Sequence, residues 1–394
     1  MSSYAEREFR FFARSCRLFG CFFVSNSWSG RFAEFRPNFR SWYALYVGFL
    51  AAVTSGFEIT LVYLRISYIY TREKDFSELL FMIIHVVIGL NIATNTFVFF
   101  LGTERLIDIL RSTRRLEGAM GFEPARSSRV DDTKKLFMTF LFVVFQAAFV
   151  LSRLASSREI FQEPSTALTV IATICFSLSC VGYAIHGKLA LNANMFFYSV
   201  LSEYLKLQVA IVETLSSQIS ARNPRYTARI LERTRLHFVS IRNIVRSVDR
   251  LFEWGLVVSF LTCAFTLCFT AYSLFDASTS WSKMYIYILY SINSSVNISA
   301  LTHAAFRMKQ QALHLKHVLE RTPLVNLPRR LVLQVEFFAE NIDAEQLCVT
   351  GSGFFTVDKP VLTSIVALIF TYSLLLVQTR GFASPEKRHP KPII

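Results

Sequence analysis

Seven apolar blocks, separated by segments that carry most of the charge, leave this chain few ways to fold. A membrane-crossing helix needs about 20 mostly apolar residues. Seven stretches qualify: about Ser41–Leu64, Leu79–Leu101, Leu136–Leu154, Thr166–His186, Gly255–Phe275, Met284–Ala305 and Val361–Gln378. Composition agrees, since 53% of the 394 residues are hydrophobic, including 39 Phe. A soluble domain has no use for so much apolar surface. The N-terminal "RLFGCFFVS" imitates a secretory leader, but its apolar core is short and no clear small-residue cleavage site follows, so it is assigned to the mature chain.

The basic residues orient the spans. The N-terminal segment and the second, fourth and sixth loops together hold 32 of the 42 Lys and Arg. By the positive-inside tendency these parts are cytoplasmic. The predicted fold class is therefore an all-α membrane protein with seven transmembrane helices, the N-terminus cytoplasmic and the C-terminus extracellular. The net charge of +14 is explained by topology, and nucleic acid is not an expected partner.

Seven spans in this orientation reverse a G-protein-coupled receptor. No Asp-Arg-Tyr ends the third span, no Asn-Pro-x-x-Tyr lies in the seventh, and all ten Pro fall outside the spans. Kinked or broken helices of the transporter kind are therefore not expected. None of the seven Cys falls in an outer loop, so no disulfide is expected. The sequons at Asn293 and Asn297 lie within a span, out of reach of glycosylation.

Two inner loops read as helices. Phe238, Ile241, Val245, Val248 and Phe252 recur at helical steps, with Arg242, Arg246 and Arg250 on another stripe. Leu331, Val335, Phe338 and Ile342 repeat the pattern after Pro323 and Pro328. Long cytoplasmic helical extensions follow, either buried in a base shared between subunits or lying on the inner leaflet. The expected division is 1–40 cytoplasmic segment, 41–305 helices one to six with a ligand pocket in their outer half, 306–360 cytoplasmic anchor, 361–378 seventh helix and 379–394 extracellular tail.

The seventh helix carries polar groups that hydrocarbon penalises. Ser364, Thr371 and Gln378 are seven residues apart, so they form one line drifting only about 20° per step. Such a line bonds its own backbone one turn back, bonds a neighbouring helix, or lines water at the centre of an oligomer. In the outer halves of the other spans, Glu58, His85, Gln146, Tyr272, Tyr285, Tyr287, Tyr290 and Asn293 are the candidate ligand contacts. Glu58 leads, because an intramembrane carboxylate is costly. The run Asn293, Ser294, Ser295, Asn297 and Ser299 also suits helix packing. No His-x-x-x-His or Ser-His arrangement occurs in a span, so neither catalysis, metal nor cofactor is expected.

The stretch "GSGFFTVDKPVLTSIVALIFTYSLLLVQ" resembles the C-terminal signature of insect gustatory receptors, relatives of insect odorant receptors. There a Gly-x-Phe-x-x-Asp stretch leads into a last helix ending in Thr-Tyr, five apolar residues, Gln and Phe. The matching positions are Gly353, Phe354, Phe355, Asp358, Thr371, Tyr372 and Gln378. The resemblance implies a tastant-gated, non-selective cation channel in the plasma membrane of gustatory neurons. It further implies a tetramer of identical or related subunits, with Ser364, Thr371, Leu374, Leu375, Gln378 and Thr379 lining the pore. Thr379 replaces the family's final Phe, which leaves the constriction to Leu374, Leu375 and Val377. Ser373 stands where the sugar-receptor branch tends to carry Glu, which disfavours that branch. Besides the tastant and sister subunits, the bilayer is the remaining partner. The readings set against this one are a seven-helix G-protein-coupled receptor and a membrane-embedded hydrolase.

Overall fold

The computed structural model describes residues 3–18, 20, 23–25, 31–39, 42–50, 52, 56, 59, 63, 76–122, 186–217, 223–275, 281–325 and 327–383. Almost all of these are helical. The expected third span, and the fourth up to residue 185, lie outside the described residues, as does most of the first.

The principal helices are α1 (Tyr4–Leu18), α2 (Phe76–Leu101), α3 (Thr103–Met120), α4 (Leu189–Ser217), α5 (Pro224–Phe275), α6 (Trp281–Glu320), α7 (Arg329–Glu340) and α8 (Lys359–Ala383). The only described sheet is a two-stranded antiparallel pair, Val24–Ser25 with Arg36–Pro37. Helices α4, α5 and α6 pack on one another and form the centre of the molecule, with α2 and α8 laid on α5.

The 52-residue α5 joins the expected fifth span to the loop before it without a break. Its predicted stripe is the buried one: Phe238, Ile241, Val245, Val248 and Phe252 are all core. Leu331, Val335 and Phe338 of α7, and Ile342 just past its end, are buried as expected. The ring of Phe338 meets that of Phe238 at 6.1 Å.

Three helices were not foreseen. α4 is long and apolar enough to cross a membrane, as are Met82–Leu101 and α5, although its sequence lay in the expected fourth loop. Leu201, Tyr204, Leu205 and Val209 bury its apolar face in the bundle. α3 continues α2 through Gly102, despite the charges that made this segment read as a loop. α1 packs Ala5, Phe9, Ala13 and Cys16 inward at helical steps. The carboxylate of Glu117 accepts from the N–H groups of Tyr4 and Ala5 and from Tyr204 Oη at 2.6 Å. A negative group at a helix N-terminus satisfies its orphan donors. Glu6, fully buried, accepts from Phe32 N at 2.9 Å and pairs with Arg114 at 3.3 Å.

The expected sixth span lies within α6, where Ser294 and Asn297 are buried in the bundle.

Candidate functional site

The chain enters α8 through a short hairpin. Val357 N donates to Val349 O and Gly351 N to Phe355 O, both at 2.8 Å, and Thr350 bridges Thr356. The turn places Ser352 at φ 51 and Gly353 at φ 77, and Phe354 N closes it by donating to Gly351 O at 2.9 Å. Two left-handed residues in succession make this a tight, twisted turn, and Gly353 meets that requirement without strain. Gly351 has a different reason to lack a side chain: a Cβ there would lie well inside contact of the Phe355 ring. Phe355 packs on Phe260 of α5 at 4.9 Å, whereas Phe354 is 74% exposed.

Two carboxylates lock this hairpin to the long helices. Asp249 of α5 accepts from Thr350 N at 2.8 Å and from Thr350 Oγ1 at 2.6 Å. Burial pushes its carboxyl above the ordinary range, and the Thr350 donors only partly offset that. Asp358 accepts from Lys359 N at 2.7 Å, at the first turn of α8, and from Lys309 Nζ of α6 at 3.0 Å. Burial raises Asp358, but the Lys309 bond and the Lys359 N–H outweigh it and hold the carboxyl below its usual value. Lys309 also donates to Glu345 Oε1 at 2.8 Å, which pushes the ammonium above its usual range. Lys359 Nζ sits 3.8 Å above the Phe306 ring. The start of α8 is thus tied to both α5 and α6. Asp249, Lys309, Thr350 and Glu345 were not singled out from the sequence, which offers no local signal for contacts spanning 36 to 101 residues.

α8 has a distinct packed stripe. Leu362 and Ile365 meet the core, Ile369 is half-buried and Ser373 is 5% exposed. At about 100° per residue, Ser364, Thr371 and Gln378 fall about 220°, 200° and 180° round from Ile369. All three are exposed, as are Leu374 and Leu375 beside them. The polar line therefore lies opposite the face that α8 uses within its own chain. Ser364 Oγ donates to Pro360 O at 3.1 Å and Thr371 Oγ1 to Ala367 O at 2.9 Å. Their protons are thereby satisfied one turn back, while their oxygens remain on the outer face. Tyr372 is half exposed. Thr379 is on the helix, its side chain outside the described set.

Of the candidate ligand contacts, Tyr272 and Asn293 have described side chains. Glu58 and Gln146 lie outside the described residues, as do the side chains of His85 on α2 and of Tyr285, Tyr287 and Tyr290 on α6. Tyr272 is buried, its ring 6.5 Å from that of Phe269. Asn293 Oδ1 accepts from Lys188 Nζ, and Asn293 O accepts from Asn297 Nδ2 at 2.6 Å. Nearby, Asn95 Nδ2 donates to Asn91 Oδ1 at 2.8 Å and Ser259 Oγ to the same oxygen at 3.0 Å. Thr96 Oγ1 and His186 Nδ1 are 2.8 Å apart. A polar seam thus joins α2, α5, α6 and the turn before α4. Lys188 was missed because it counted only as a loop cation.

A family profile described as 7tm Chemosensory receptor matches residues 9–380, and the chain belongs to this family. The fold is that of the insect olfactory receptor OR5 from Machilis hrabei, with a TM-score of 0.73 at 16% identity over 95% of this chain and 98% of that one. The same receptor in complex with eugenol gives a TM-score of 0.68 over the same shares of both chains, again at 16% identity. No curated protein matches the chain by sequence.

Proposed function

We propose that the chain is a gustatory receptor subunit: a tastant-gated, non-selective cation channel of the plasma membrane, tetrameric, with α8 of each subunit lining a central pore. The observation that carries the reading is the position of Ser364, Thr371 and Gln378 opposite the packed stripe of α8. A polar line there has three possible surroundings: lipid, another subunit or water. Lipid is the costly one, because amide and hydroxyl oxygens have no partners in it. A central aqueous passage satisfies them and leaves the exposed Leu374 and Leu375 beside it to form a hydrophobic constriction.

Membership of the chemosensory family supports small-molecule gating, and the eugenol complex of the Machilis receptor supports a small organic ligand within this fold. The C-terminal motif favours taste over smell. On this reading the N-terminus, α3, α7 and the inner parts of α4, α5 and α6 are cytoplasmic, and the tail after α8 is extracellular. The outer halves of helices one to six hold the tastant, with Glu58 and the α6 tyrosines as its contacts. The hairpin 349–357 and the Lys309–Asp358 pair transmit movement of α5 and α6 to the start of α8.

The test is expression of the chain alone in oocytes, with current recorded during application of sugars, alkaloids and aromatic alcohols. A ligand-evoked cation current that persists when G-protein signalling is blocked supports the reading. Current abolished by that block would favour a coupled receptor instead.

A further inference from the structure

A groove of about 740 Å³ runs between α3 and the inner half of α5. The two helices are antiparallel here: Gly102 packs against Leu251 at one end, and Arg233 donates to Ala119 O at the other. Arg105 and Arg250 line the end nearest the apolar spans, and Arg115 lines the far end. All three are exposed, and none forms an ion pair among the described residues. The single acid lining the groove, Asp108, stands 3.8 Å from Arg111 on its own helix. Unpaired guanidinium groups gathered along one concavity repel each other, and an anion relieves that repulsion.

Depth narrows the choice of anion. With a rise of about 1.5 Å per residue, Arg105 lies about 6 Å beyond Leu101, where the apolar part of α2 ends. Arg250 lies about 7.5 Å before Gly255, where the apolar run of α5 begins. The headgroup layer on each side of a bilayer is about 5–8 Å deep. Both side chains are therefore at the level of lipid phosphates, whereas Arg115, about 21 Å from Leu101, is beyond it. A guanidinium fork matches a phosphate bidentately.

We propose that Arg105 and Arg250 form a binding site for the phosphate of an acidic phospholipid, seated in the mouth of the groove between α3 and α5. The inference rests on the membrane reading above for the depth of the groove. It does not require that the protein conduct ions.

The full-length receptor, purified in a neutral detergent and stripped of lipid, is offered phosphatidylserine or phosphatidylcholine, and bound lipid is measured by native mass spectrometry. Preference for phosphatidylserine is expected, falling about tenfold in Arg105→Gln/Arg250→Gln and persisting in Arg329→Gln/Arg330→Gln, whose charges lie on α7. If the first double variant elutes aggregated, a photoactivatable phosphatidylserine on the wild type replaces it, with adducts expected between residues 102 and 115 or 243 and 251. Equal binding of the two lipids, preference surviving loss of both arginines, or adducts confined to other segments would each overturn the proposal. So would competition by glycerophosphoserine as strong as by the intact lipid, which would mark a site for soluble anions. Because lipid is read without current, a silent channel with intact phosphatidylserine preference would count against the channel reading alone.

Discussion

Lys309 Nζ of α6 stands 3.0 Å from Asp358 Oδ2, the carboxylate at the first turn of α8. One side chain thus pairs across the bundle and also accepts from Lys359 N. Asp358→Asn is expected to keep the cap and lose the ion pair, and Lys309→Met to lose the pair together with the Lys309–Glu345 bond. Both side chains are about one-fifth exposed, so solvent screening reduces the worth of the pair. A double-mutant cycle on thermal stability is expected to give coupling of about 1 kcal/mol. Additive single effects would show that the pair is incidental.

The pH dependence of this contact follows from its two partners. Asp358 is held below its usual value, so its contribution is complete above the unfolded carboxylate value of about 4 and is lost as pH falls through the lower folded value. Lys309 is raised, by Glu345 first and by Asp358 after it, so its share is complete below the unfolded lysine value of about 10.4 and is lost as pH rises through the higher folded value. The stability difference between wild type and Asp358→Asn is therefore expected to be flat between about pH 5 and 9. A slope within that window, measured by thermal melts of purified receptor, would show that other groups govern the contact.

Gly351→Ala forces a methyl group into the Phe355 ring. Overpacking of this kind costs about 1–3 kcal/mol, and surface expression is expected to fall. Phe355→Leu in the same chain is expected to restore part of it. Gly353→Ala meets no neighbour but must hold φ 77, for which about 1–2 kcal/mol is the scale. Equal tolerance of both substitutions would mean that the hairpin is not formed as described.

The predicted stripe of α5 was legible because Phe238 to Phe252 keep one period on one face, and burial alone decides such a pattern. α4 was not legible. Asn194, Ser202 and Gln208 interrupt its apolar face, yet all three are buried once the bundle packs around them. α3 was hidden by Arg105, Arg111, Arg114 and Arg115, four cations on a helix whose Leu106, Ile107 and Leu110 are buried and whose Arg114 pairs inward with Glu6. At the candidate site, the seven-residue spacing of Ser364, Thr371 and Gln378 could be read directly. Which way that line faces could not, because the answer depends on Leu362, Ile365 and Ser373 meeting partners far away in the chain.

Glu117 holds the start of α1 through two hydrogen bonds, from Tyr4 N and Ala5 N, and accepts a third from Tyr204 of α4. Glu117→Gln turns one acceptor oxygen into a donor facing other donors, and loss of about 2 kcal/mol is expected in this buried setting. Hydrogen exchange should then quicken across residues 4–18 while α4 to α6 stay protected. Unchanged exchange in α1 would mean that Phe9 and Ala13 hold the helix without the cap.

The central claim is that the outer face of α8 lines water. Thr371→Cys and Gln378→Cys are tested with a positively charged thiol reagent, in a background whose own current the reagent leaves unchanged. Ser373→Cys is the control, since the new thiol is nearly isosteric and points into the packed stripe. The account predicts that current falls on modification at residues 371 and 378, because each subunit then places a cation in a narrow passage, and that residue 373 is spared. Modification at 373 with 371 and 378 untouched would contradict it.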